Sequence, residues 1–284
     1  MGRLLVRLGV LVVGLLAMIV AGTAAQAASS VEKYPTKKQS ARQAFTAEER
    51  QEIDDFVAGN VLFTLYHEAG HAMVSEFELP VLGREEDAVD SLAALMMIPE
   101  EPDEQQDAWI IAAADWFAMV YELDDSEMEY ADYAGEHGLD LQRYYQIICL
   151  IYGSDPEGFA DLAEYAELPP ERAERCPDEL AQVARSWVSL LEPHEGKAKK
   201  PIVVSYGDPG EYGDAADVLR ESGVMEVVAE ELSTTFAFPN QIRMVAEQCG
   251  EENAYWDPDA RTITLCYELV DGARLLIVDD IRAR

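Results

Sequence analysis

Two histidines four residues apart, with a glutamate directly after the first, stand in the run Leu62–Phe77, LFTLYHEAGHAMVSEF. This spacing restricts the fold more than any other feature of the chain. On a helix, residues i and i+4 leave the same face, so His67 and His71 can share one ion. Glu68 lies about 100° further round, where it reaches a water at that ion without binding the ion itself. Small Ala69 and Gly70 are expected to leave room beside the ion. The local sequence supports the helix. Thr46-Ala-Glu-Glu49 offers a capping box, and Ile53, Phe56, Val57, Val61, Leu65 and Met73 recur at helical spacing. The spacing predicts one helix from Thr46 to about Phe77, with Gly59 a permitted point of bending.

An ion held this way needs a third protein ligand, commonly a carboxylate. The first acidic cluster downstream is GREEDAVDS, and Glu86 and Asp90 in it share one helical face. That spacing suits a division of labour in which Glu86 binds the ion and Asp90 accepts the free N–H of a ligating histidine. Glu85 is the alternative metal ligand. Its i+4 partner is Val89, which offers no such acceptor, and this puts Glu86 ahead. The connection from Glu78 to Arg84 stretches to about 23 Å at most, more than the roughly 8–10 Å between packed helix axes.

An ion with a base beside its water suits hydrolysis of an amide, and such chemistry also needs a donor for the developing oxyanion. His137 in GEHGLD, Tyr144 and Tyr145 are the candidates, although His137 beside Gly138 reads more simply as a helix terminus and the tyrosines as packing. His194 falls in a polar linker and is expected to be exposed. Tyr66 points off the metal face. The acidic stretches ELDDSEMEYAD and GDPGEYGDAAD lack the ligand alternation of a calcium loop and read as solvated helix ends.

The order of elements indicates an α+β chain. Residues 46–192 read as a helical metal-binding region, with helices expected over 105–121, 126–136, 139–152, 157–166 and 178–191. A polar linker occupies 193–200. Residues 201–284 read as a small α/β region with two short helices (about 212–221 and 226–234). Strands PIVVSY, QIRMVAEQC, NAYW and RTITLCYEL follow the alternation, the last two joined as a β-hairpin by Asp257-Pro258-Asp259. Cys149, Cys176, Cys249 and Cys266 form an even set that allows three connectivities, and Cys149–Cys176 with Cys249–Cys266 is favoured because each pair closes a short local segment.

Residues 1–27 carry Arg3 and Arg7, an apolar run from Leu8 to Val20 and Ala25-Gln26-Ala27, the layout of a signal peptide, with an uncleaved anchor as the alternative, and residues 28–45 read as a flexible leader. No cysteine precedes Cys149, which excludes a lipid-modified N-terminus. A periplasmic or secreted protein is expected, without stable membrane association after signal cleavage. With 21 basic against 55 acidic residues the net charge is −34, which argues against nucleic acid as a partner.

HEAGH followed by an E-x-x-x-D element resembles the gluzincin metallopeptidases. More closely, LFTLYHEAGHA…ELPVLGREEDAVDSLA together with CGEENAYWDP and ITLCYEL is similar to a bacterial metallopeptidase family known by a domain of unknown function. The resemblance implies one zinc per chain on His67, His71 and Glu86, with Glu68 as general base toward a peptide or protein substrate. Thermolysin-like enzymes place a sheet before the metal helix, and its edge strand binds the peptide. No strand is legible before His67 here, so the segment after Pro201 is the natural supplier of such an edge, and its sheet is the candidate to complete a zincin-like core in permuted order. The expected activity is hydrolysis of peptide bonds by a zinc-activated water. The alternatives are a catalytically inactive, metal-stabilised binding or scaffold module of the cell envelope, and a hydrolase of non-peptide amides.

Overall fold

The computed structural model describes residues 45–284 except Asp125 and Glu127. The expected signal peptide, and the leader up to its last residue, lie outside the described residues. The first helix, α1 (Ala47–Glu76), begins as the capping box requires: Glu49 N–H donates to Thr46 Oγ1 at 3.1 Å, and Thr46 N–H donates to Glu49 Oε2 at 2.6 Å. It runs unbroken through Gly59. A Cβ at that position would lie 2.1 Å from the Trp109 carbonyl oxygen, so the glycine serves close helix approach.

Helix α2 (Glu85–Met97) opens with three acidic residues, which suit its N-terminus, and ends two residues before Pro99. Helix α3 (Glu104–Leu123) is capped by Asp103, which accepts from the N–H groups of Gln105 and Gln106. The helix expected over 126–136 is a single turn, α4 (Tyr130–Tyr133). Asp132 Oδ2 takes the Glu129 N–H at 2.6 Å, and Gly135 follows, so local side-chain bonding and a poor helix former limit the element. Then come α5 (Asp140–Ser154), α6 (Ala160–Tyr165), α7 (Pro170–Ala173) and α8 (Cys176–Leu191). The Cys149–Cys176 disulfide ties α5 to the start of α8.

Beyond lie β1 (Val203–Tyr206), α9 (Gly213–Ser222), α10 (Val224–Thr235), β2 (Arg243–Glu247), β3 (Ala254–Asp257), β4 (Thr262–Cys266) and α11 (Tyr267–Ala283). The sheet has the order β1-β2-β4-β3. Its first two pairings are parallel, and the β3–β4 hairpin is antiparallel. Asp257 Oδ1 closes the hairpin turn by accepting from Asp259 and Ala260 N–H, both at 2.9 Å. Cys249–Cys266 pins the approach to β3 against the end of β4.

The last strand ends at Cys266, where the sequence reading carried it to Leu269, and a 17-residue helix that the reading lacked takes over. Its buried Val270, Ala273, Ile277 and Ile281 repeat at helical spacing. The fold is α+β, mostly helical, with this small mixed sheet. Helix α1 is its hub and packs on α2, α3, α10, α11 and the β3–β4 hairpin. The apolar core is continuous from Phe56 to Ile281. The 194–198 stretch is bonded to 233–237 through Gly196, Ala198 and Ala237 N–H. His194 is half-buried rather than exposed, because its ring stacks on Phe77 at 4.3 Å.

Candidate metal centre

His67, Glu68 and His71 sit in the C-terminal half of α1, where the helix is buried by its neighbours. Helix α2 crosses beside them because Gly70 admits it: a Cβ on Gly70 would meet Val89 Cβ and Cγ1 at 2.9 Å. The space left by this glycine is therefore taken by α2 and not by an ion, since Gly70 lies on a different side of the helix from the two imidazoles. The approach brings the first turn of α2 against the histidines.

Three distances define the cluster. His67 Nε2 and His71 Nε2 are 3.2 Å apart, and Glu86 Oε2 lies 3.1 Å from the first and 3.3 Å from the second. A tetrahedron whose corners stand about 2.0–2.1 Å from its centre has edges of about 3.3 Å, so this triangle suits a small tetrahedral ion. Glu86 Oε2 is buried and has no well-directed hydrogen bond, although imidazole nitrogens surround it. A buried carboxylate oxygen left in that way fits a site built for a cation.

The outer nitrogens are spoken for. His67 Nδ1 is 2.7 Å from Asp90 Oδ1, and His71 Nδ1 is 2.8 Å from Glu85 Oε1. Both contacts turn the Nε2 lone pairs of the neutral rings inward. Glu85, the alternative ligand of the sequence reading, thus stands on the outer side of His71, a partner that the i+4 argument from Val89 did not provide for. Asp90 is itself gripped by Arg143 on α5, through Nε at 2.7 Å and Nη2 at 2.8 Å. The guanidinium also lies 4.2 Å over the Phe117 ring.

The electrostatics favour positive charge here. Burial opposes protonation of His67, but the bonds to Asp90 and Glu86 and the charges of Asp90 and Glu68 prevail and raise it to about 9. For Glu86, burial pushes upward, and the imidazoles of His137, His67 and His71 outweigh it, depressing the carboxyl far below the ordinary range. Asp90 is also lowered: burial acts upward, and His67 and Arg143 more than offset it. Glu68 is raised, chiefly by burial, despite the opposing charges of both histidines and a bond from the Trp256 backbone N–H.

His137 joins the cluster from the segment between α4 and α5. Its Nε2 stands 2.9 Å from Glu86 Oε2, and its ring lies parallel to that of His67, 6.0 Å away. Tyr144 and Tyr145 instead pack edge to face on each other, with Tyr144 buried. The centre opens into a groove of about 720 Å³ walled on one side by β3, through residues 253–256, and on another by Phe63, Trp116 and Phe117. β3 is the edge of the sheet, and the Trp256 N–H turned toward α1 is the one that reaches Glu68. The segment after Pro201 thus supplies an edge strand at the centre. A second group of three possible ligands, Cys249, Cys266 and Glu268, is of another kind: the cysteines are a disulfide, and Glu268 accepts from the N–H groups of Cys249 and Gly250.

Sequence reasoning missed Arg143, Arg84 and the role of the Trp256 backbone. Arg143 lies 53 residues from Asp90 and carries no local signal for the pairing. A model of the family DUF4344, described as "Putative metallopeptidase", matches residues 28–191 and 208–281. The chain belongs to this metallopeptidase family. Searches among curated proteins and among solved structures returned no match. Family membership implies a metal ion, and the match spans α1, α2, α5 and the β3–β4 hairpin, the elements that build the centre.

Proposed function

We propose that this protein is a zinc-dependent metallopeptidase that hydrolyses peptide or protein substrates in the periplasm or outside the cell. The observation that carries the reading is the triangle of His67 Nε2, His71 Nε2 and Glu86 Oε2, with Glu68 beside it, at the foot of a groove bordered by a sheet edge. His67, His71 and Glu86 would hold the metal, one per chain. When bound, zinc supplies Lewis acidity, polarising the scissile carbonyl and lowering the pKa of water at the site to about 7.

The other tasks fall to the chain's own groups. Asp90 and Glu85 keep the histidines in the tautomer that presents Nε2. Glu68, with its pKa raised by burial, takes the proton of the attacking water and delivers it to the leaving amine. His137 donates Nε2–H to the oxyanion as it forms. The outer edge of β3 borders the groove, and the substrate backbone would add to it as a strand by competing for the N–H groups of Trp256 and Ala254, now bonded to Glu68 and Asn253. Two disulfides support an oxidising compartment, and among the described residues no helix is long and apolar enough to cross a membrane.

The case for an inactive envelope module rested on a missing oxyanion donor and a missing edge strand, and candidates for both border this groove. The test is zinc analysis paired with hydrolysis of mixed protein substrates. The wild type should hold about one zinc and cleave. Glu68→Gln should hold the zinc and lose activity by at least about a hundredfold. Full activity in Glu68→Gln would remove Glu68 from the mechanism, and zinc without turnover on any peptide would favour the binding module.

A further inference from the structure

We infer that Arg84 is a positioning residue that clamps the His137 backbone to the start of α2 and so holds the imidazole at the centre. The inference rests on the reading of His137 as the oxyanion donor. His137 belongs to a segment without helix or strand, between α4 and α5, and its side chain is half exposed. A side chain on such a segment keeps its place only if the backbone beneath it is pinned. Its contact with Glu86 Oε2 cannot be that pin during turnover, because Nε2 must then be free to face the substrate.

Arg84 provides a pin that is independent of the imidazole. Its Nη1 donates to the His137 carbonyl at 2.9 Å, and its Nε donates to Asp87 Oδ2 at 2.9 Å. The planar guanidinium thus spans two fixed acceptors, one on α2 and one on the segment. Gly138 packs against the same pair: a Cβ there would lie 3.4 Å from Asp87 Oδ1 and 3.7 Å from Arg84 Nη2. The turn that delivers Glu86 therefore also holds the segment that delivers His137, and the two groups keep their spacing because they share one anchor. Lysine places its donors on one nitrogen and lacks the rigid fork that meets both acceptors at once.

The test uses the zinc-loaded full chain and reads the imidazoles by proton–nitrogen correlation, which four histidines keep simple. Arg84→Ala should move the His137 ring signal to the position of a free imidazole and leave those of His67 and His71 in place. On a peptide substrate it should lower kcat about tenfold to a hundredfold, the scale of a small misplacement, with KM nearly unchanged. Arg84→Lys should recover part of both effects. In a His137→Ala background, Arg84→Ala should cost nothing further. An unmoved His137 signal in Arg84→Ala would overturn the clamp, and so would an equal loss of kcat in the His137→Ala background. A moved signal together with wild-type turnover in His137→Ala would keep the clamp and discard His137 as donor.

Discussion

Gly70→Ala is the substitution that separates metal geometry from stability most cleanly. The new Cβ would stand 2.9 Å from both Cβ and Cγ1 of Val89. Carbon atoms in ordinary contact sit about 3.5–4.0 Å apart, so α1 and α2 must separate by roughly 0.6–1 Å. Val89 cannot yield by rotation alone, because its Cβ is fixed to the α2 backbone, and it is fully buried. Overpacking of this kind costs about 1–3 kcal/mol, while alanine gains about 1 kcal/mol over glycine in a helix interior. The net loss of stability is therefore small, between about zero and 2 kcal/mol.

The metal site should be far less tolerant. Glu86 is one turn from Val89 on α2, and ligand distances at a zinc site hold to about 0.2 Å. Gly70→Ala should weaken zinc binding at least about tenfold, by chelator competition, while urea unfolding reports the modest stability change. Moving the small residue across the interface, as Gly70→Ala with Val89→Gly, removes both close contacts. Zinc affinity should then recover even though stability falls further through the lost valine. A Gly70→Ala protein that binds zinc as the wild type does would refute the claim that this glycine sets the spacing of the centre.

Glu86→Ala should lose zinc affinity by much more than Glu85→Ala, for which about a 10–100-fold loss is expected from an outer hydrogen-bond partner; the reverse order in a competition titration would exchange their roles. Glu231 on α10 offers a pH test away from the centre. Burial raises it from 4.5 to about 7, against the bond from Tyr66, and its Oε1 has no hydrogen-bond partner among the described residues. Its folded pKa lies above the unfolded one, so the stability due to its neutral form is complete below about 4.5 and is lost as pH rises through 7. Glu231→Gln keeps an acceptor for Tyr66 and cannot ionise. It should match the wild type near pH 4.5 and exceed it at pH 8 by up to about 3 kcal/mol, and equal urea midpoints at both pH values would contradict this.

The features legible in the sequence were those written in local spacing. The capping box at Thr46, the i+4 histidines, the Glu86/Asp90 pair and the hairpin at Asp257 all lie within one or two helical turns or one strand pair. The short closures Cys149–Cys176 and Cys249–Cys266 were readable for the same reason. The helix α11 had its signal too, in Val270, Ala273, Ile277 and Ile281, but the β-branched run Thr262-Ile263-Thr264 and the apolar residues after it masked where the strand ended. His137 reads as a helix terminus because nothing near it in sequence indicates that Arg84, 53 residues earlier, reaches its carbonyl. Arg143 and the Trp256 backbone were illegible for a stronger reason. Their partners, Asp90 and Glu68, already had adequate roles, and only packing of α5 and the hairpin on the α1–α2 pair shows that those carboxylates have further contacts.

Those further contacts explain how so many carboxylates can sit together. Glu68, Glu85, Glu86 and Asp90 crowd two histidines, and with Glu68 and Asp90 buried, that much negative charge destabilises the fold unless cations oppose it. Arg143 neutralises Asp90 permanently, since a guanidinium does not lose its proton, and thereby keeps Asp90 an acceptor for the His67 N–H whatever else binds. Glu86 has no such fixed partner. Among the described residues its Oε2 is within ion-pair distance of three imidazole nitrogens, whose lone pairs can hold either a proton or a metal. The same field that raises His67 to about 9 would favour a dication on the proposed ligands, and binding one there would displace protons. The permanent cation, Arg143, lies on the outer side of the centre, and a metal on the proposed ligands would stand on the groove side, where a Lewis acid could meet a substrate.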